Sequence, residues 1–298
     1  MALVECVPNF SEGRRKEVVD EILKAITRGG KVKLLDSRMD ADHNRVVVTF
    51  VGEPEECLKA AFAGCKKATE LIDMNQHKGE HPRIGATDVI PFVPISGITL
   101  EECAELAKKL GKKIADELHI PVYLYEAAAT RPDRVNLANI RKGEYEGLKE
   151  AIKVDPDRAP DFGPPELHPT AGATVVGARE FLVAYNIYLD TDNLEIAKQI
   201  ARNIRFKDGG FRYVKAMGFE IKERNCVQVS INMVNYKGTP LHQVFEMVKI
   251  EAARYGVNVT ESEIYGMVPV DALLDAAEFY LRLNNFDRAQ IIEKRIYE

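Results

Sequence analysis

Apolar residues recur along this chain with two alternating periods. Val18, Val19, Ile22 and Ile26 are spaced for one face of a helix, with Ser11 at its start and Gly29-Gly30 at its end. Pro54 opens a second helix carrying Leu58, Phe62, Cys65, Thr69 and Ile72 at the same spacing. Thr99 with Glu102 forms a capping box for a third, striped by Leu100, Cys103, Ala107, Leu110 and Ile114. Short runs read as strands at 2–8, 31–36, 45–51 (R-V-V-V-T-F-V), 89–93 and 122–125. Pro91 and Pro94 predict that 89–93 lies at a sheet edge, because proline cannot donate to a ladder.

Between Asp155 and Gly177 five prolines and three glycines predict irregular structure. A loop of that length in a compact chain is usually a functional loop or a linker. Periodicity then resumes, with a strand at 181–189, a helix at 193–204, strands at 212–221 and 226–234, a helix at 240–255 and a strand at 257–265. The order β-α-β-β-α-β therefore occurs twice, at 2–93 and 181–265. The expected fold class is α/β (α+β), with two tandem ferredoxin-like βαββαβ subdomains, antiparallel sheets with helices on one face, and a ligand cleft between them. The expected division is 1–178 and 179–298.

Composition narrows the function classes. A net charge of −5 over 298 residues argues against general affinity for nucleic acid or an anionic membrane. The amino terminus lacks a basic n-region, and no window approaches 18 consecutive apolar residues. Five scattered cysteines without a C-x-x-C fit reduced thiols in a cytoplasmic protein better than disulfides or zinc. Dinucleotide, P-loop and nucleophile-elbow templates are absent from the sequence.

The densest chemistry lies in Asp73–Asp88, D-M-N-Q-H-K-G-E-H-P-R-I-G-A-T-D. Gly79, Pro82 and Gly85 rule out a continuous helix, so His77, Lys78, His81 and Arg83 sit on a shaped loop. Pro82 restricts the backbone of His81, and an imidazole is the side chain suited to moving protons near pH 7. Glu80 and Asp88 are candidates to orient it. His77 reads instead as a residue at a helix C-terminus, interacting with the dipole. A second cluster, Asp36–Arg45, is either an Asx turn or a substrate-facing segment. Asp40, Asp42 and His43 lack a recurrent ligand pair, so no metal is expected. A third, Gly163–Gly172 (G-P-P-E-L-H-P-T-A-G), is either a linker or a rigid surface for a flat ligand.

C-V-P-N-F-S-E-G at Cys6–Gly13, H-N-R at His43–Arg45, the run from Leu71 to Ala86 and A-P-D-F-G-P at Ala159–Pro164 together resemble the glutamate formiminotransferase family, over nearly the whole chain. The resemblance implies transfer of a formimino group from N-formiminoglutamate to N5 of tetrahydrofolate, in histidine degradation and one-carbon metabolism. It also implies two similar subdomains and a cytoplasmic homodimer. By motif, the catalytic histidine is His81, and the folate-binding stretch is Gly163, Pro164, Pro165, Glu166, Leu167, His168, Pro169, Thr170, Ala171 and Gly172. Arg38 stands where animal members carry an assisting aspartate, and Asp40 is the candidate for that role. Arg45, Lys78 and Arg83 are candidates to hold substrate carboxylates. Animal members add a cyclodeaminase; this chain resembles the transferase half, so a separate enzyme would process the product. The rivals are the same scaffold with formylglutamate or formiminoglycine as donor, and a non-catalytic ferredoxin-like binding module. The strands lack an RNA-binding signature.

Overall fold

A computed structural model describes residues 2–297. The chain divides into two compact units, Met1–Glu180 and Phe181–Glu298. In the first, β1 (Leu3–Cys6), β2 (Asn9–Phe10), α1 (Lys16–Gly29), β3 (Val32–Asp40), β4 (Arg45–Gly52), α2 (Pro54–Leu71) and β5 (Thr87–Ser96) follow in order. Then come α3 (Leu100–Leu118), β6 (Val122–Glu126), α4 (Leu137–Ile140), α5 (Glu144–Val154) and β7 (Thr174–Ala178). β3, β4, β1 and β5 pair antiparallel in that spatial order, which is the split-βαβ core. Val4, Cys6, Val46, Val48, Phe50, Ile90 and Phe92 turn one face of this sheet onto α1, α2 and α3.

This unit is larger than the repeat in the sequence. β7 adds to β5 in parallel, and β6 adds to β7 in parallel. Tyr123, Tyr125, Val89 and Val175 pack with Ile140, Leu148 and Ile152 of α4 and α5 on the second face. β7 falls inside the stretch expected to be irregular. Its five residues, T-V-V-G-A, are all buried, and the prolines and glycines before it had masked a short apolar strand.

β5 corrects a second expectation, because it is interior rather than an edge. Pro91 is accommodated where β1 gives way to β2. Val7 donates its N–H to the Pro91 carbonyl (3.2 Å), and the reciprocal bond is the one proline cannot make. The Val7 carbonyl instead accepts from Asn9 Nδ2 (3.0 Å). Ser11 does not start α1, whose N-cap is Arg15; the Ser11 hydroxyl donates to the Gly85 carbonyl (2.7 Å). Glu12 accepts from the backbone N–H groups of Arg14 and Arg15, serving the orphan donors there.

The second unit comprises β8 (Val183–Leu189), α6 (Leu194–Ile204), β9 (Val214–Ile221), β10 (Cys226–Met233), α7 (Leu241–Ala253) and β11 (Val259–Tyr265), followed by α8 (Val270–Leu281) and α9 (Ile292–Tyr297). Its antiparallel sheet, in the order β11-β8-β10-β9, repeats the core order of the first. Its own core gathers Ile187, Ile200, Val229, Ile231, Val244 and Val248. Cys6, Cys57, Cys65 and Cys103 are buried free thiols, and burial pushes Cys57 up to about 12. Thiols so displaced are poor nucleophiles. No helix among the described residues is long and apolar enough to cross a membrane.

Candidate functional site

One end of the first sheet collects the polar motifs. There Asp40 pairs with Arg45, Phe10 with Val46 and Thr87, and Gly85 bridges Gly172. The connections 11–15, 41–44, 72–86 and 168–173 therefore meet. Their approach is too close for side chains at two points. A Cβ on Gly79 would lie 2.3 Å from the His43 carbonyl oxygen, and one on Gly85 would lie 1.9 Å from that of Ala173.

His81 sits at this junction, partly buried. Its Nε2 is 2.7 Å from Arg45 Nη1, whose own position is braced by Asn9 Oδ1 at 3.4 Å. The His43 ring stands edge-on to it, with centroids 6.2 Å apart, and His43 is held by Asp40 through Nδ1 (2.7 Å) and its backbone N–H (2.9 Å). Burial, then the charges of Arg45 and Arg141 and the proximity of His43, push His81 down to about 2. The imidazole is therefore neutral across the physiological range. Burial pushes the Asp40 carboxyl up, but the two His43 hydrogen bonds and the Arg45 charge outweigh it and hold it below the usual aspartate value.

The neighbouring loop residues have structural partners. His77 lies six residues past α2, beyond the reach of its dipole. Its Nδ1 accepts from Arg83 Nε (3.2 Å), so Nε2 carries the proton and donates to the Asn44 carbonyl (2.9 Å). Arg83 is buried, and its terminal nitrogens are forked by Glu144 (2.7 Å) and Glu146 (2.6 and 2.9 Å). That guanidinium ties α5 to the loop, which leaves it badly placed for a substrate carboxylate. Lys78 is exposed beside an open cavity of about 450 Å³ that also borders Met74, Asn75, Tyr145 and Lys149. Asp88 is buried, accepts from the Ile84 N–H (2.9 Å) and pairs with Arg141, so it does not orient His81 directly.

The Gly163–Gly172 segment has two halves. His168 and Gly172 exchange backbone hydrogen bonds (3.0 and 3.1 Å), Thr170 accepts from Met74 N (2.7 Å), and Ala171 accepts from Ala86 N (2.9 Å). His168 Nδ1 accepts from Ala171 N (3.0 Å), so this imidazole braces its own turn. Gly163, Pro165 and Glu166 are exposed, beside the start of β6.

Four contributors escaped the sequence reading. Asn44, with φ of 48°, locks two loops through Gly13 N (2.9 Å) and the Lys78 carbonyl (3.0 Å); an Asx residue between two strands was the available signal. Arg141, Glu144 and Glu146 look like ordinary surface charges until the fold brings them in. Among the described residues no group of three or more His, Cys, Asp or Glu side chains is placed to hold a metal ion.

Comparison with known proteins gives two family matches. The formiminotransferase N-terminal subdomain matches residues 3–179, and the formiminotransferase domain matches 184–296. The chain is 54% identical over 298 residues to a glutamate formimidoyltransferase of Thermoplasma acidophilum, covering 99% of this chain and 98% of that one. It is 50% identical over 295 residues to a protein of the same name from Streptococcus pyogenes, with the same shares covered. It is also 47% identical to the formimidoyltransferase-cyclodeaminase of Mus musculus, covering 93% of this chain but 52% of that protein.

Proposed function

The chain belongs to the formiminotransferase family, and on that premise we propose that it transfers the formimino group of N-formiminoglutamate to N5 of tetrahydrofolate. The observation that carries the reading is His81: a neutral, partly buried imidazole on a proline-braced loop, flanked by Arg45 and by the Asp40–His43 pair. N5 attacks the amidine carbon to form a tetrahedral intermediate, and its proton passes to the imidazole. The imidazolium then returns a proton to the glutamate nitrogen as the C–N bond to it breaks. The products are 5-formiminotetrahydrofolate and glutamate. One residue suffices as base and then acid.

In this reading Asp40 acts through His43, placing negative charge near the developing imidazolium and the amidinium donor. Lys78 and Arg45 are the cations offered to substrate carboxylates, and the exposed half of Gly163–Gly172 receives the folate. The test is turnover: purified protein, tetrahydrofolate and one donor, with the folate product followed by chromatography. N-formiminoglutamate should be the preferred donor. Faster transfer from formylglutamate or formiminoglycine would replace the donor, and no folate product with any of them would overturn the reading.

A further inference from the structure

Arg45 and His81 are in an arrangement with a definite chemical meaning. A guanidinium has donors and no acceptor, and it does not lose its proton in proteins. At 2.7 Å from Arg45 Nη1, His81 Nε2 must therefore be the acceptor, and the ring proton resides on Nδ1. The nitrogen that would receive a proton from N5 is thus already occupied by a cation's N–H.

We infer that Arg45 couples ligand binding to proton transfer: it donates into the Nε2 lone pair of His81 and keeps the imidazole neutral until the carboxylate of an anionic ligand takes the guanidinium and releases that nitrogen. A carboxylate is the better acceptor. Charge-assisted hydrogen bonds are roughly twice as strong as neutral ones, and a guanidinium can meet a carboxylate with two. Once taken, the guanidinium no longer blocks Nε2 and the ligand's negative charge lies beside it, so the proton affinity of His81 rises, although burial still holds it below that of an ordinary histidine. Binding of the correct ligand would switch on the base, and an unoccupied site would hold it silent. The inference rests on the transferase reading for the identity of the ligand, but the coupling itself does not.

The other groups facing His81 do not supply this coupling. Arg141, from the turn after α4, is paired with the buried Asp88. His43, from the β3–β4 turn, is fixed by two hydrogen bonds to Asp40. Glu80 precedes His81 on its own loop and is exposed. Arg45 is the group whose donor sits on the reacting nitrogen.

The experiment is a histidine titration by NMR on the intact protein labelled with ¹⁵N-histidine, with His81→Gln identifying the resonance. Glutamate serves as the probe, because it carries carboxylates and no transferable group. In wild type without glutamate, His81 should stay neutral, with the proton on Nδ1, to the acid limit of folding. Saturating glutamate should raise its titration, to a value that burial still keeps below the ordinary 6.5. In Arg45→Met, whose stem is similar but which has neither charge nor donor, His81 should titrate clearly above its wild-type value with or without glutamate, while its burial and the charge of Arg141 keep it below 6.5. An Arg45→Met protein in which His81 remains as resistant to protonation as in wild type overturns the inference. So does a wild-type His81 that does not respond to glutamate at a concentration where binding is seen at other resonances. Should Arg45→Met fail to fold, Arg45→Lys provides the same comparison: a single ammonium should shift the titration only part of the way. Because the readout is a protonation state, the inference and the transferase reading fail separately: a protein inactive with every donor can still show the coupling.

Discussion

At the residue scale, two histidines four positions apart have been given opposite tasks by their partners. His77 is spent on structure, with both ring nitrogens engaged by Asn44 and Arg83, whereas His81 faces Arg45 and the Asp40–His43 pair. His81→Ala should lower kcat by about 10²–10⁴-fold, the range for a positioned acid–base group, with folding and folate affinity nearly intact. His77→Ala should instead lower the melting temperature, because it leaves a buried Arg83 and a backbone carbonyl short of partners, at about 1–3 kcal/mol. Steady-state kinetics and thermal melts on the two variants separate these outcomes. The loop's composition made it the place to look, and Pro82 made His81 the better candidate. The pairing of Arg83 was invisible because Glu144 and Glu146 lie some sixty residues away and look like ordinary solvated charges.

At the scale of elements, β1 contains an anomaly. Val4 and Cys6 point into the helical face, so strand alternation sends Glu5 to the opposite face, where it is buried. Burial pushes its carboxyl up to about 7 from 4.5, and the charge of Arg179 only partly opposes this. A group whose folded value lies above its unfolded one stabilises the fold fully below pH 4.5. That contribution is lost as pH rises through 7. Urea unfolding should show wild type losing stability between pH 5 and pH 8, with the loss much reduced in Glu5→Gln; an identical pH dependence in the variant would show that Glu5 titrates as an ordinary carboxylate. Helices α1, α2 and α3 were legible because each has an unbroken apolar stripe. β7 was not, because five residues after a run of prolines carry too little period, and its parallel partners are distant in sequence.

At the scale of the whole chain, the repeated β-α-β-β-α-β order was legible, and the strand order it implies recurs in both sheets. Most of what distinguishes the first unit, β6, β7, α4 and α5, lies in the residues between the repeats and, among the described residues, has no counterpart in the second. The Gly163–Gly172 segment runs into β7. Its second half already has its amides bonded, and Pro164 and Pro165 have none. Protection from hydrogen exchange on binding tetrahydrofolate should therefore be confined to Gly163, Glu166 and Leu167. Unchanged exchange there at saturating folate would remove the segment from the folate site.

The proline in the middle of β5 makes two distant positions interdependent. Asn9 serves both the Val7 carbonyl and Arg45, and it is needed for the first only because residue 91 has no N–H to give. Asn9→Ala should lower both stability and turnover. Adding Pro91→Val supplies the missing donor to the Val7 carbonyl, so the double variant should recover melting temperature without recovering turnover, since Arg45 still lacks its brace. Such a cycle would be strongly non-additive in one property and additive in the other. A lineage that changed Pro91 alone would gain a competitor for a carbonyl already in use, which makes these positions a pair expected to change together or not at all.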